Sequence, residues 1–372
     1  MYTVLNIVLL IAMLGFFVFM IWYTAYRLHT HFKSVSFWKL QILVAICAIG
    51  SFAISAITGR FSNHFFSILN IIGGYILLLF VYSFFLFAIL HIIRLKWNLP
   101  LVWSGTAALS LAFIITFIGA IIGSFFIVRE TEITMPGLKN ELAIMQISDV
   151  HLGHHRGREY LLKIIDETNK QNPDLVLITG DLVDAELALQ QNNLKPLSGF
   201  NAPVYFVKGN HEEYAGTERA LQLIGENNIR ILHNEVIETH GIQLIGLDYL
   251  KADEETFDMH PSNNPNTVKS ALAEIDLKQG IPSILMSHSP VGAKYADAAG
   301  INLMVSGHTH GGQIFPFSLF SKMSFPFNSG LYQQGNTKVF VSNGAGTYMI
   351  RVRLGSFNEI NLLKLIPENK GE

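Results

Sequence analysis

The chain has 372 residues, half of them apolar, and a formal net charge of −2. That length allows two domains, and the charge divides unevenly: residues 1–139 hold eight basic and two acidic side chains, the remainder eighteen and twenty-six. The acidic balance after residue 139 argues against a nucleic-acid groove as the main business of that part, and no nucleic-acid partner is expected. The apolar excess before it excludes a wholly soluble protein.

Four long apolar runs open the chain, at 2–26, 40–58, 65–93 and 101–128. Each is close to or beyond the ~20 residues that cross a ~30 Å hydrocarbon core, and such runs satisfy their backbone there as helices. A cleaved leader does not fit residues 1–26, which lack a basic start and a small-residue cleavage site. The first and third loops carry five basic residues, Arg27, Lys33, Lys39, Arg94 and Lys96; the other side carries Arg60, Arg129 and Lys139. The richer side is expected in the cytoplasm, which sets the C-terminal domain outside it. Asn6, Asn70 and His91 are few polar groups for a conduction path, so the runs read as the anchor of a multi-pass cell-membrane protein in contact with the lipid bilayer. Cys47, the single cysteine, reads as an apolar filler of the second span. The expected organisation is a four-helix transmembrane region at 1–130, a linker at 131–140 and a catalytic domain at 141–372.

From residue 141 the pattern changes to short apolar, β-rich runs. LAIMQIS (142–148), DLVLITG (174–180), PVYFVKG (203–209), IQLIGLD (242–248), SILMSHS (283–289), INLMVSG (301–307) and KVFVSNG (338–344) predict strands. Most are apolar on both alternations, as strands buried on both faces are. Residues 158–171, 217–227 and 267–278 predict helices between them. The class is therefore α/β, with sheets layered against helices.

Polar residues gather behind the strands: Asp149 and His151 after the first, Asp181 after the second, Asn210 and His211 after the third, His288 in the fifth, His308 and His310 after the sixth. Ligand sites of open α/β sheets lie beyond the carboxyl ends of their strands. Seven oxygen and nitrogen donors without sulfur suit two divalent ions, Mn²⁺ first, with Fe or Zn²⁺ as alternatives. Two ions ~3.5–4 Å apart hold a hydroxide between them and clamp a phosphoryl oxygen. Gly180, Gly209 and Gly307 precede ligands, where a sharp backbone turn is expected.

SDVH (148–151), GD (180–181), GNHE (209–212), SH (287–288) and GHTH (307–310) resemble the five motif blocks of the calcineurin-like metallophosphoesterase superfamily, across about 230 residues. GHTHGGQ, SGLY (329–332), VSNGAG and Arg353 resemble its membrane-associated branch, which includes the YkuE-like and YaeI-like proteins. Asn358-Glu359 departs from the Pro-Glu common in that branch. The resemblance implies a four-layer αββα sandwich. It implies one metal on Asp149, His151, Asp181 and His310, and a second on Asp181, Asn210, His288 and His308, with Asp181 bridging. It also implies that His211 is not a ligand but stabilises the transition state or protonates the leaving oxygen.

Asp184 and Glu212 are candidates to orient ligands. His155, Arg156 and Gln313 are candidate substrate contacts, with His154 and Arg158 in the same basic cluster. The stretch IFPFSLFSKMSFPF (314–327) is rich in phenylalanine, and its prolines and serines argue against a clean helix or a central strand. Phe315, Phe317, Phe320 and Phe325 are candidate lipid contacts, or else they cap the domain's own core. The expected activity is hydrolysis of a phosphoester or pyrophosphate, in a lipid or lipid-linked substrate, by a hydroxide bridging the metals. The alternatives are hydrolysis of soluble nucleotides or phosphodiesters, and a non-catalytic, metal-binding membrane sensor or scaffold.

Overall fold

The computed structural model describes all residues except Met1, Gly59, Arg60, Ser62, Asn98, Leu99, Gln191 and 369–372, and within its helices the side chains of 2–6, 9, 101 and 102 are likewise undescribed. Arg60 and the Asn6 side chain, both used in reading the membrane part, lie outside the described set. The chain divides at residues 121 and 122 into two compact units.

The first unit is helical: α1 (Tyr2–His31), α2 (Phe37–Thr58), α3 (His64–Trp97) and α4 (Leu101–Ile122). All four are long and apolar enough to cross a membrane. Met20, Ile21, Ala25, Val44, Ala48, Phe80 and Phe84 form a shared core of α1, α2 and α3. Large apolar side chains such as Ile11, Ile46 and Phe113 face outward, the reverse of a soluble bundle and the arrangement that lipid requires. The polar residues are used internally. Asn70 Nδ2 donates to the Ser55 carbonyl at 3.2 Å and to Thr58 Oγ1 at 2.9 Å, and the Tyr23 hydroxyl lies 3.2 Å from His91 Nδ1. Such pairing suits helix packing rather than a conduction path.

The second unit holds two six-stranded sheets. The first runs β1 (Phe126–Met135), β12 (Asn358–Pro367), β2 (Leu142–Ile147), β3 (Leu175–Thr179), β4 (Val204–Val207), β5 (Ile229–Ile231). The second runs β10 (Gly330–Gln334), β11 (Thr337–Val341), β9 (Leu303–Ser306), β8 (Ser283–Met286), β7 (Ile242–Gly246), β6 (Glu235–Thr239). Leu177, Val207, Leu244, Met286, Val305 and Phe340 meet in one buried cluster between the sheets. α5 (Arg158–Lys170), α6 (His211–Ala215) and α7 (Thr217–Gly225) follow strands of the first sheet; Leu161, Ile164, Ala215 and Ile224 join its outer core. α8 (Val268–Ala273) and α9 (Ala293–Ala298) cover the second sheet through Ala271 and Ala296. The helix–sheet–sheet–helix order is the expected αββα sandwich, because strands buried on both faces need cover on both sides.

Four expectations are corrected. The last apolar run ends as helix at Ile122, not 128, and the first half of the linker expected at 131–140 is strand: β1 pairs in parallel with β12 from Phe126↔Asn358 to Met135↔Pro367. The helix expected at 267–278 spans Val268–Ala273, closed at its start by a Thr267–Ser270 capping box. The proline-bounded loop holds a helix, α10 (Phe317–Ser324). Pro316 precedes its first turn, where a missing N–H costs nothing, and Pro326 lies beyond its end. The prolines bracket this helix instead of breaking it.

Candidate metal centre

Every expected ligand sits at the carboxyl end of a strand: Asp149 and His151 behind β2, Asp181 behind β3, Asn210 behind β4, His288 behind β8, His308 and His310 behind β9. Because the sheets are stacked, residues from both converge, and all seven are buried. Gln146 of β2 ties the sheets beneath them, donating to Thr179 Oγ1 at 3.1 Å and to the Ser306 carbonyl at 2.9 Å.

The donors form two groups. Asn210 Oδ1 lies 3.1 Å from both His288 Nε2 and His308 Nδ1, and these two nitrogens are 3.1 Å apart. Asp181 Oδ2 is 3.1 Å from His288 Nε2. On the other side His151 Nε2 faces His310 Nε2 at 3.0 Å, and His310 Nε2 is 3.5 Å from Asp149 Oδ1. Asp181 Oδ2 also lies 3.8 Å from His151 Nε2, so this carboxylate stands between the groups. Ligand atoms of Asp149, His151 and His310 fall within 4.8 Å of one another, as do those of Asp181, His288 and His308. Buried nitrogens pointed at one another and at carboxylates, with no sulfur, fit divalent cations of the Mn, Fe or Zn kind.

The backbone is bent to achieve this. Asp149, His151, Asp181, His308 and His310 all adopt positive φ, between 52° and 72°. For residues with a Cβ that costs about 1–3 kcal/mol each and persists only where surroundings enforce it. Here the Asp149 and His151 amides donate to the Gly180 and Asp181 carbonyls at 3.0 Å, and Glu212 accepts from the amides of Gly209, Asp181 and Val183 at 2.7, 3.0 and 3.1 Å. Of the three glycines expected at sharp turns, Gly180 alone has positive φ, 84°. Gly307 is required for another reason, since a Cβ there would run into the Asp149 carboxylate.

Other groups orient the ligands. His288 Nδ1 is held by the Thr179 carbonyl at 2.8 Å and His308 Nε2 by Asp258 at 3.0 Å, which turns the opposite nitrogens inward. Asp184 lies 3.5 Å from His151 Nδ1 and is hydrogen-bonded to His211 Nδ1. Arg353 is fully buried. It donates to the carbonyls of His310 at 2.6 Å and Gly346 at 2.7 Å, to the Asn343 carbonyl, and to Asn358 Oδ1 at 2.9 Å. Burial pulls its pKa down to about 9, so it stays charged near neutrality. Asn358-Glu359 is absorbed in the same network, with Glu359 accepting from the Asn343 amide at 3.0 Å.

Burial opposes charge at Asp181, yet His288 and His211 hold its carboxyl well below the usual range. Burial would likewise depress His211 and His288, but Asp181 pushes them up to about 9 and about 10, with Asp184 assisting at His211. Protonated histidines thus balance the carboxylates. Raised folded values mean stabilisation that is whole below the ordinary 6.5 and lost as pH climbs through 9 and 10. Chelator-treated protein is therefore expected to show a thermal midpoint that falls steadily from pH 6.5 to 10. Adding Mn²⁺ should flatten that slope, because bound cations displace these protons. A flat profile without metal would contradict it.

The candidate substrate contacts have other uses. Arg156 is buried and donates to Thr347 Oγ1 at 2.6 Å and to the Gly123 carbonyl at 2.8 Å. Gln313 spends its amide on the Tyr348 and Ile350 carbonyls and the Tyr348 amide, at 2.9, 3.0 and 2.7 Å. It shapes the loop that brings the Tyr348 ring to 5.2 Å from His211. His155 is buried, and burial lowers it to about 4. Phe315, Phe317 and Phe320 are exposed, but Phe325 is not: at 3% exposure it packs edge-on against His308, ring centroids 5.7 Å apart, which removes it from the candidate lipid contacts. Asp258 and His260, whose ring lies 5.1 Å from that of His308, escaped the sequence reading.

Fold and centre together define a layered α/β domain built around a cluster of side chains able to hold metal ions. The calcineurin-like phosphoesterase pattern matches residues 142–312. A transmembrane protein with metallophosphoesterase domain from Danio rerio is 30% identical over 360 residues, covering 88% of this chain and 80% of its own. An uncharacterized metallophosphoesterase of Helicobacter pylori is 35% identical over 248 residues, 65% of either chain, so the chain spans just under two thirds of that relative's length. YkuE, an uncharacterized metallophosphoesterase of Bacillus subtilis, is 30% identical over 238 residues, 61% of this chain and 79% of its own. The chain belongs to the calcineurin-like metallophosphoesterase family.

Proposed function

We propose that the protein is a membrane-anchored phosphoesterase with a dinuclear metal centre, which hydrolyses a phosphoester or pyrophosphate bond in a lipid or lipid-linked substrate. The observation that carries this reading is Asp181, whose carboxylate stands between two clusters of buried histidine and carboxylate donors. Asp149, His151, Asp181 and His310 would hold one divalent ion, Asp181, Asn210, His288 and His308 the other. When bound, such ions supply Lewis acidity and a strong oxygen nucleophile near neutral pH.

The chain's own groups do the rest. His211 is fixed through Nδ1 by Asp184, which leaves Nε2 as the atom that would pass a proton to a departing oxygen. Tyr214 and Tyr348 flank its ring at 5.1 and 5.2 Å. The membrane-resident substrate is supported by the four apolar helices and by the exposed phenylalanines beside the last metal-ligating loop. The deciding experiment gives Mn²⁺-loaded, detergent-purified protein a lipid extract, soluble nucleotides and a chromogenic phosphodiester, and measures released phosphate or headgroup. Turnover of nucleotides alone would replace the lipid reading, and bound metal with no turnover would favour a sensor or scaffold.

The basic-residue asymmetry of the loops supports a catalytic domain outside the cytoplasm. A cysteine placed at exposed Glu226 is then expected to react with a membrane-impermeant maleimide in intact cells. Reaction only after lysis would reverse the side.

A further inference from the structure

The apolar helix α10 has no place in the reaction derived above, and none of its residues is buried. Phe317, Leu319, Phe320 and Met323 are exposed on it, and Phe315 just before it; Phe320 is 65% and Met323 84% exposed. Apolar surface displayed on this scale marks a contact with something. Lys322 is exposed among these residues, so the surface pairs large apolar side chains with a cation, the composition of segments that lie in a membrane interface.

The occupant follows from where this surface sits within its domain. The chain reaches the domain through Gly123, Ser124 and Phe125, the only residues between the end of α4 at Ile122 and the start of β1 at Phe126. Fully extended, three residues and their flanking bonds reach about 14 Å. Within the domain this short segment is fastened to 351–358. Asn358 Nδ2 donates to the Gly123 and Phe125 carbonyls at 3.2 and 2.8 Å, and Arg351 donates to Ser124 Oγ at 3.0 Å. The Phe125 ring meets that of exposed Phe357, centroids 6.4 Å apart. Residues 351–358 are joined in turn to the start of the apolar segment, the Phe315 amide donating to the Leu354 carbonyl at 2.9 Å and the Leu354 amide to the Gln313 carbonyl at 3.0 Å. The exposed phenylalanines thus belong to the part of the domain at which the chain enters it from α4.

The same surface is mechanically part of the site. Gly312 has φ 73°, and a Cβ there would run into Ser318 of α10, so the helix rests directly on the turn that carries His310. Thr309 Oγ1 donates to the Asn328 carbonyl, Asn328 Nδ2 donates to Ser321 Oγ of α10 at 2.6 Å, and Phe325 packs on His308. We propose that α10, with Phe315 before it and Phe357 beside it, docks on the bilayer surface and holds the metal centre at the level of the lipid headgroups. This goes beyond the catalytic reading and does not depend on turnover.

The test uses the full chain with Cys47→Ala and one new cysteine, Phe320→Cys or Met323→Cys, labelled with bimane in nanodiscs of phosphatidylcholine and phosphatidylglycerol. Glu226→Cys is the control, since it lies beside β5, at the opposite edge of the first sheet from β1. Spin-labelled lipid is expected to quench both α10 labels at least about twofold more than the control, while aqueous iodide quenches them less. Iodide access equal to the control would overturn the proposal. So would shelter from iodide without quenching by lipid, which would mean that protein, such as a second copy, covers the helix. Because the readout is fluorescence, a catalytically silent protein that still gives lipid quenching would sink the phosphoesterase reading and leave the docking intact.

Discussion

If Asp181 bridges two ions as proposed, Asp181→Asn is expected to lower turnover roughly a thousandfold or more, because the shared carboxylate would supply negative charge to both ion sites and each ion would contribute several kcal/mol to the transition state. The substitution also removes the charge that raises His211 and His288, but it leaves the backbone geometry in place. The Asp181 Oδ1 atom accepts from the His211 amide at 2.9 Å, and the amide oxygen of asparagine can do the same. The backbone bend at φ 53° suits asparagine as well as aspartate. Circular dichroism should therefore match the parent protein while metal content falls. Turnover within a few fold of the parent would remove Asp181 from the bridging position.

Arg353→Ala is expected to destabilise the domain by several kcal/mol. The guanidinium satisfies the buried carbonyls of His310, Asn343 and Gly346 together with Asn358. Each acceptor left buried without a partner costs about 1–3 kcal/mol. Arg353→Lys should rescue little, since one ammonium cannot span acceptors that a planar fork reaches on several sides. Thermal unfolding of the detergent-purified variants measures the loss. An alanine variant that melts with the parent would show the network to be redundant.

The strands that carry the candidate ligands were legible because most are short runs apolar on both alternations, ending in a glycine or serine and then a polar residue. β1 was not, because FIVRETEITM follows the last apolar run without a break and holds Arg129, Glu130 and Glu132, which suit the edge strand it forms. α10 was hidden by Pro316 and Pro326, whose meaning depends on whether they fall inside a helix or at its ends. The seven candidate ligands stand out through residue type at repeated strand ends. Asp258 had no such mark, since it lies in an irregular stretch between β7 and α8 and reaches His308 only through the tertiary fold. Residue type suggested an anion contact at Arg156 and Gln313, but it carried no sign that the fold also uses both to hold backbone in place.

The pairing of β1 with β12 bears on how the molecule is made. β1 leaves the ribosome some 230 residues ahead of the strand it pairs with. Throughout that interval its amides and carbonyls have no neighbour on the sheet, while the helices before it are already committed to lipid. Closure of the first sheet must wait for residues 358–367, so a nascent chain halted anywhere before them leaves β1 unpaired on both sides, where the finished molecule leaves it one free edge.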